Sequence, residues 1–143
     1  MTVQPPLPTT MRAITFADPG EPDVLRVETL TLPQPGRGEV LVRVMAAGVN
    51  RPDIMQRKGL YPPPPGACPR LGLEIAGAVV ARGLPPERTT MPAIGRRVCA
   101  LTHGGGPAPH RLVPAGPCLP CPICYPPLHA APPPEPPLTV RSP

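Results

Sequence analysis

Proline sets the limits within which this chain can fold. The 143 residues include 30 prolines and 14 glycines, and an interior proline costs a helix about 3 kcal/mol because it lacks an N–H and clashes with the preceding turn. Long helices are excluded, which leaves short strands joined by tight turns. The apolar pattern agrees. Leu25, Val27 and Thr29 alternate with Arg26, Glu28 and Leu30, and Val40, Val42 and Val44 with Leu41, Arg43 and Met45. This period of two predicts strands with one buried face. Ile75 to Ala81 and Val98 to Leu101 are continuous apolar runs of strand length, and Asp18-Pro19-Gly20 and Pro35-Gly36-Arg37-Gly38 are turn signals. Asp53 to Arg57 predicts one helical turn after Pro52, a residue suited to a first helical position. Several short strands with glycine and proline turns imply a mainly β, partly open barrel.

The prolines crowd toward the C-terminus, with 14 of them between Pro107 and Pro143. Pro126-Pro127, Pro132-Pro133-Pro134 and Pro136-Pro137 read as extended polyproline II or disorder. The chain is expected to divide into a disordered extension over 1–10, one β domain over 11–116 and a proline-rich tail over 117–143. That is one domain of ordinary size. Met11 is a second candidate start.

Charge and hydropathy exclude several classes of partner. The net charge is +5, from 14 basic and 9 acidic residues, and Arg57-Lys58 and Arg96-Arg97 are the adjacent basic pairs. The aromatic side chains are Phe16, Tyr61 and Tyr125. Nucleic-acid binding calls for concentrated charge and stacking rings, so no nucleic-acid partner is expected. The opening MTVQPPLPTT lacks the basic start and apolar stretch of a secretion signal. Ile75 to Ala81 is far shorter than the roughly 20 residues that span a bilayer, and a soluble, cytoplasmic protein without a membrane partner is expected. A dinucleotide-binding loop needs G-x-G-x-x-G between strand and helix. Gly36-Arg37-Gly38 lacks the third glycine, and Gly104-Gly105-Gly106 runs into prolines without N–H donors, so both read as turns.

The stretch from Ala46 to Gly77, AAGVNRPDIMQRKGLYPPPPGACPRLGLEIAG, carries the most specific signal. With MRAITF at the start and RRVCALTHGGG further on, it closely resembles the catalytic domain of medium-chain dehydrogenase/reductases, in their zinc-free quinone oxidoreductase branch. The resemblance runs from about Met11 to about Val140 and departs after Gly106, where the family's GGGYAEY is replaced by Gly106-Pro107-Ala108-Pro109-His110. It implies a domain similar to the GroES co-chaperonin fold, with NADPH or NADH as cofactor and a quinone or enone as substrate. The family's nucleotide-binding domain is expected to lie outside these residues. Asn50 stands where zinc-dependent relatives carry a ligand Cys, and Leu73 where they carry a ligand His, which implies no zinc, because a Zn²⁺ site needs three or four N, S or O ligands.

The candidate site residues follow from the same resemblance. Asn50 would lie at the cleft and bond a nicotinamide ribose or a substrate; its other reading is a helix cap before Pro52. Tyr61 would offer its phenol and ring to a quinone, or pack as a loop aromatic. Both are candidate catalytic residues, and Asn50, Asp53 and Thr139 are candidate cofactor contacts. Asp53 and Glu74 form a tempting acid/base pair, yet hydride transfer to a quinone depends more on positioning than on a tuned carboxylate. Local hydrogen bonds for Asp53 and pairing with an Arg for Glu74 are the expected roles.

Cysteine spacing supports a rival reading. Cys118-Leu119-Pro120-Cys121-Pro122-Ile123-Cys124, with His129 beyond, can bind a soft metal or be a set of reduced thiols. Cys68 and Cys99 read as packing residues. Three functions remain open: the catalytic domain of an NAD(P)H-dependent quinone oxidoreductase, with little turnover expected without the nucleotide-binding domain; a non-catalytic relict or binding module that pairs as a homo-oligomer or with a full-length relative; and a metal-binding tail.

Overall fold

The computed structural model describes residues 6–87, 90–122 and 124–131. Its strands are β1 (Thr10–Thr15), β2 (Arg26–Thr31), β3 (Glu39–Ala47), β4 (Glu74–Arg82), β5 (Arg97–Leu101), β6 (His110–Pro114) and β7 (Leu119–Pro120). Two short helices, α1 (Arg51–Arg57) and α2 (Pro127–Ala130), complete the regular structure together with a 3-10 turn over Pro22–Val24. β1 and β2 form an antiparallel ribbon, and the other strands form one antiparallel sheet in the order β6-β3-β4-β5-β7.

The sheet is built around its two longest strands. β3 and β4 pair from Val40↔Arg82 to Ala47↔Ile75, with register shifts at Leu41/Val42 and Val44/Ala46. Such bulges increase local twist, which lets a single sheet bury residues on both faces. Val40, Val42, Ile75, Val79, Val98, Ala100, Val113 and Ala115 form the largest cluster. A second cluster joins the ribbon to the sheet, with Met11, Ala13 and Leu32 against Leu41 and Val80. Fully burying a Val, Leu or Ile side chain stabilises by about 1.5–3 kcal/mol, so these clusters hold the ribbon on the sheet. The mainly β architecture is the expected one, with two small sheets and an open barrel.

Three expectations need correction. The alternation in β2 does not mark a buried face: Val27 is 56% exposed, because β2 pairs only with β1 and lies at the edge of the ribbon. The extension over 1–10 is ordered where it is described, since Leu7 packs on the second cluster and the Leu32 N–H donates to the Thr9 carbonyl at 2.9 Å. The tail over 117–143 is likewise structured as far as Ala131. β7 pairs with β5, and Pro127 opens α2 instead of extending as polyproline II. Ala130 and Ala131 are buried with Cys121 against Ala76. Proline at a first helical position and at a sheet edge gives up no bond that the fold uses. Residues 132–143, with the remaining proline runs and Thr139, lie outside the described residues.

Candidate active site

The end of β3 leads through Gly48 and Val49 to Asn50, the N-cap of α1, and Pro52 occupies the first turn of that helix. Seven residues cannot sustain an isolated helix, so α1 depends on what its first turn holds. Asp53 supplies this. Its Oδ2 accepts the Asn50 backbone N–H at 2.8 Å, and its Oδ1 accepts the Gly72 N–H at 2.7 Å. One carboxylate therefore ties the helix start to the loop before β4 and satisfies donors that would otherwise be stranded.

Asn50 is held a second time, through its side chain. The Nδ2 group donates to Glu74 Oε1 at 2.8 Å, and Glu74 is the first residue of β4 and only 1% exposed. The expected partner for Glu74 was an Arg, and the partner seen at Oε1 is this amide. Space for the contact comes from Gly48, where an added Cβ would fall 2.0 Å from Glu74 Oε1. Gly72 has a φ of +104°, and a Cβ there would meet the Gly106 nitrogen at 2.4 Å. Both glycines are fixed by close approach around the same site.

Two further residues belong to the cluster and carry no signal in the sequence. Gln56, one turn after Asp53, donates to the Pro69 carbonyl at 2.8 Å, and Thr102 Oγ1 donates to the Gly72 carbonyl at 2.8 Å. Both are buried. The helix is thereby inverted: Asp53 and Gln56 face inward while Ile54 is 46% exposed, so an apolar stripe could not have revealed its inner face.

Tyr61 is half-exposed on the turn that follows α1 and has no hydrogen bond to this cluster among the described residues. Val49 and Leu60 are also exposed. An apolar cleft of about 370 Å³, lined in part by Val44, Ala46, Ala47, Pro107 and Pro109, lies along the strand end that leads into Asn50. Asn50, Asp53 and Glu74 are thus brought together, and Tyr61 stands at the surface next to α1.

The cysteines near the C-terminal end pack around β5 without forming a joint site. Cys118 packs with the Val98 and Ala100 face of β5, and Cys121 with the Cys99 and Ala76 face. Cys124 is exposed. Among the described residues no group of three or more His, Cys, Asp or Glu side chains is placed to share a metal ion. Burial pushes the Cys118 thiol up to about 11, and burial followed by the nearby Cys121 raises that of Cys99. Neither thiol is readily ionised at neutral pH. Among the described residues no helix is long and apolar enough to cross a membrane.

Comparison with known proteins places these features. The family model for the alcohol dehydrogenase GroES-like domain matches residues 36–124. A quinone oxidoreductase of Lama guanicoe is 36% identical over 104 residues, which cover 71% of this chain and 31% of the relative. The trans-enoyl reductase opdC of Penicillium oxalicum is 37% identical over 101 residues, covering 71% of this chain and 26% of that protein. Among solved structures, mycobacterial Rv1454c complexed with NADPH superposes with a TM-score of 0.68 at 33% identity, over 82% of this chain and 34% of that one. The chain spans under a third of the length of these curated relatives.

Proposed function

Because the chain belongs to the alcohol dehydrogenase GroES-like domain family, by the match over residues 36–124, we propose that it is the catalytic-domain portion of an NAD(P)H-dependent reductase of quinones or enones. The observation that carries this reading is the doubly anchored Asn50 at the N-cap of α1, three residues past the strand end that lines an apolar cleft. Its relatives include a quinone oxidoreductase and a trans-enoyl reductase.

The residues present fit a flat, partly polar ligand. A nicotinamide cofactor, when bound, supplies the hydride. Asn50 has two amide N–H donors; Glu74 takes one, and the other is offered to a ligand carbonyl or ribose hydroxyl. Bonding to a buried carboxylate fixes the rotamer of the amide, so the second N–H is aimed before a ligand arrives. A donor aimed in this way stabilises negative charge that develops on a quinone or enone oxygen during reduction. Tyr61, half-exposed just after α1, is the proposed source of a ring and a phenol hydroxyl for the substrate. Asp53 acts through Asn50 by holding its backbone, and Thr139 remains a proposed cofactor contact.

The donor set does not fit a catalytic zinc. Leu73 has no donor atom, and Asn50 supplies an amide where a thiolate would be needed, so we place the protein with reductases that work without that metal. We also place it in the cytoplasm. The test is NADPH oxidation with 1,4-benzoquinone, followed at 340 nm, for this chain alone and linked to a nucleotide-binding domain. Reduction by the linked form that falls at least about tenfold in Asn50→Ala is expected. No rate above buffer in either form would instead favour a binding module of the same fold.

A further inference from the structure

A second cleft, of about 730 Å³, is lined in part by the loop between α1 and β4, and its lining includes Cys68, Arg70, Thr102, His103 and Arg111. Two of these are arginines with a shared difficulty. The Nε atoms of Arg70 and Arg111 are both buried without a hydrogen-bond acceptor, and among the described residues neither guanidinium has an ion pair. Arg111 lies on β6 opposite Val42, which puts a cation at the edge of the main hydrophobic cluster. Burial lowers its pKa, its contact with the Cys68 sulfur raises it, and the positive charge of Arg70 lowers it further. A thiol is a weak acceptor. Glu39, also on the lining, is a nearby negative charge that raises the Arg111 pKa, the smallest of these effects, and its Oε2 accepts the Gly36 N–H at 2.9 Å.

The backbone is shaped to keep the two arginines together. Gly104 and Gly105 have φ of +85° and +79°; the Gly105 N–H donates to the Arg70 carbonyl at 2.9 Å, and a Cβ on Gly105 would fall 2.7 Å from Arg111 Nη1. A Cβ on Gly104 would fall 2.4 Å from the Arg70 carbonyl oxygen. The glycine turn therefore holds the Arg70 backbone and leaves room for the Arg111 guanidinium, and both arginines line the cleft. Like charges partly out of water repel and are costly unless a counter-charge joins them, and planar guanidinium groups match the spacing of carboxylate and phosphate oxygens.

We propose that the cleft between Arg70 and Arg111 is a binding site for a small oxyanion, a phosphate or carboxylate group bridged by the two guanidinium groups. The site borders the Asn50 cluster through Thr102 but does not depend on the reductase reading. The test is isothermal titration of the whole chain with inorganic phosphate and, separately, with acetate, each compared with chloride at equal ionic strength. Saturable binding of one anion per chain is expected, weakened about tenfold or more in both Arg111→Met and Arg70→Gln and unchanged in Arg26→Gln on the exposed ribbon. Whichever anion binds more tightly identifies the group. No saturation with either anion, or binding that survives Arg70→Gln, overturns the proposal even if Arg111→Met does not fold.

Discussion

Replacing Asp53 tests whether one carboxylate holds the site together. Asp53 is 4% exposed and accepts two backbone N–H groups, from Gly72 at 2.7 Å and Asn50 at 2.8 Å. Asp53→Asn keeps the shape but offers one oxygen and one NH₂, so one of the two donors must face another donor. The Gly72 contact is the buried one, so the amide should turn its oxygen there and release the part-buried Asn50 N–H, which water can reach. A bond to a charged acceptor contributes about 1.5–3 kcal/mol, and a loss of about 2 kcal/mol is expected. Asp53→Ala removes both bonds and strands the Gly72 donor, a further cost of about 1–3 kcal/mol, for a total of about 4 kcal/mol. The chain has no Trp, so urea unfolding is best followed by far-UV circular dichroism. With a slope of about 1–3 kcal/mol per molar urea, Asp53→Asn should move the midpoint by about 1 M and Asp53→Ala by roughly twice as much. If both variants unfold within about 0.3 M of the parent at unchanged slope, Asp53 is not the tie described here.

Three other outcomes are expected. Gly48→Ala should destabilise by about 1–3 kcal/mol, because its Cβ would fall 2.0 Å from Glu74 Oε1; an unchanged urea midpoint would show that Glu74 and Asn50 are free to move aside. Cys118, raised from 9.0 to about 11, should hold about a hundredfold less thiolate than an ordinary cysteine at pH 8, so mass-mapped iodoacetamide labelling should reach exposed Cys124 well before it. Burial, and after it the charge of Arg43, keeps the His110 pKa below its ordinary 6.5. The unfolded chain then takes up the proton first, so stability is full above about pH 6.5 and falls as pH drops below it; His110→Gln should flatten that slope in urea titrations at pH 5 and pH 7.

The strands were legible wherever burial on one face, or on both, follows the sequence alone. Ile75 to Ala81 and Val98 to Leu101 lie within β4 and β5, and the turn at Asp53 is α1 with Arg51 and Pro52 added at its start. β2 misled because alternation reports two different faces without saying whether anything covers either of them. At the site, the expectation that Asp53 makes hydrogen bonds in its turn matches its bond to Asn50. Its second bond, to Gly72, is nineteen residues away and has no local signature. Gln56 and Thr102 were missed for the same reason: their partners are backbone carbonyls, and any polar side chain at those positions reads as surface.

The last third of the chain shows why a count of prolines is weaker evidence than their positions. A proline breaks a structure only where its missing N–H would have been used. In β6, Pro114 is the final residue opposite Glu39; in the two-residue strand β7, Pro120 stands opposite Val98 at the sheet edge; in α2, Pro126 and Pro127 occupy the cap and the first turn. Each falls where the backbone donor is expendable. The segment is held by the β5–β7 pairing and the Cys121 N–H bond to the Arg97 carbonyl, and by apolar contact, with Cys121, Ala130 and Ala131 closing over Ala76 and Cys118 over Ala100 and Ala115. Small side chains make that closure possible, because an alanine and cysteine interface lets backbone that lacks regular hydrogen bonds lie close against the sheet. Polyproline-like composition and a packed segment are therefore compatible, and the residues between the prolines decide which one is formed.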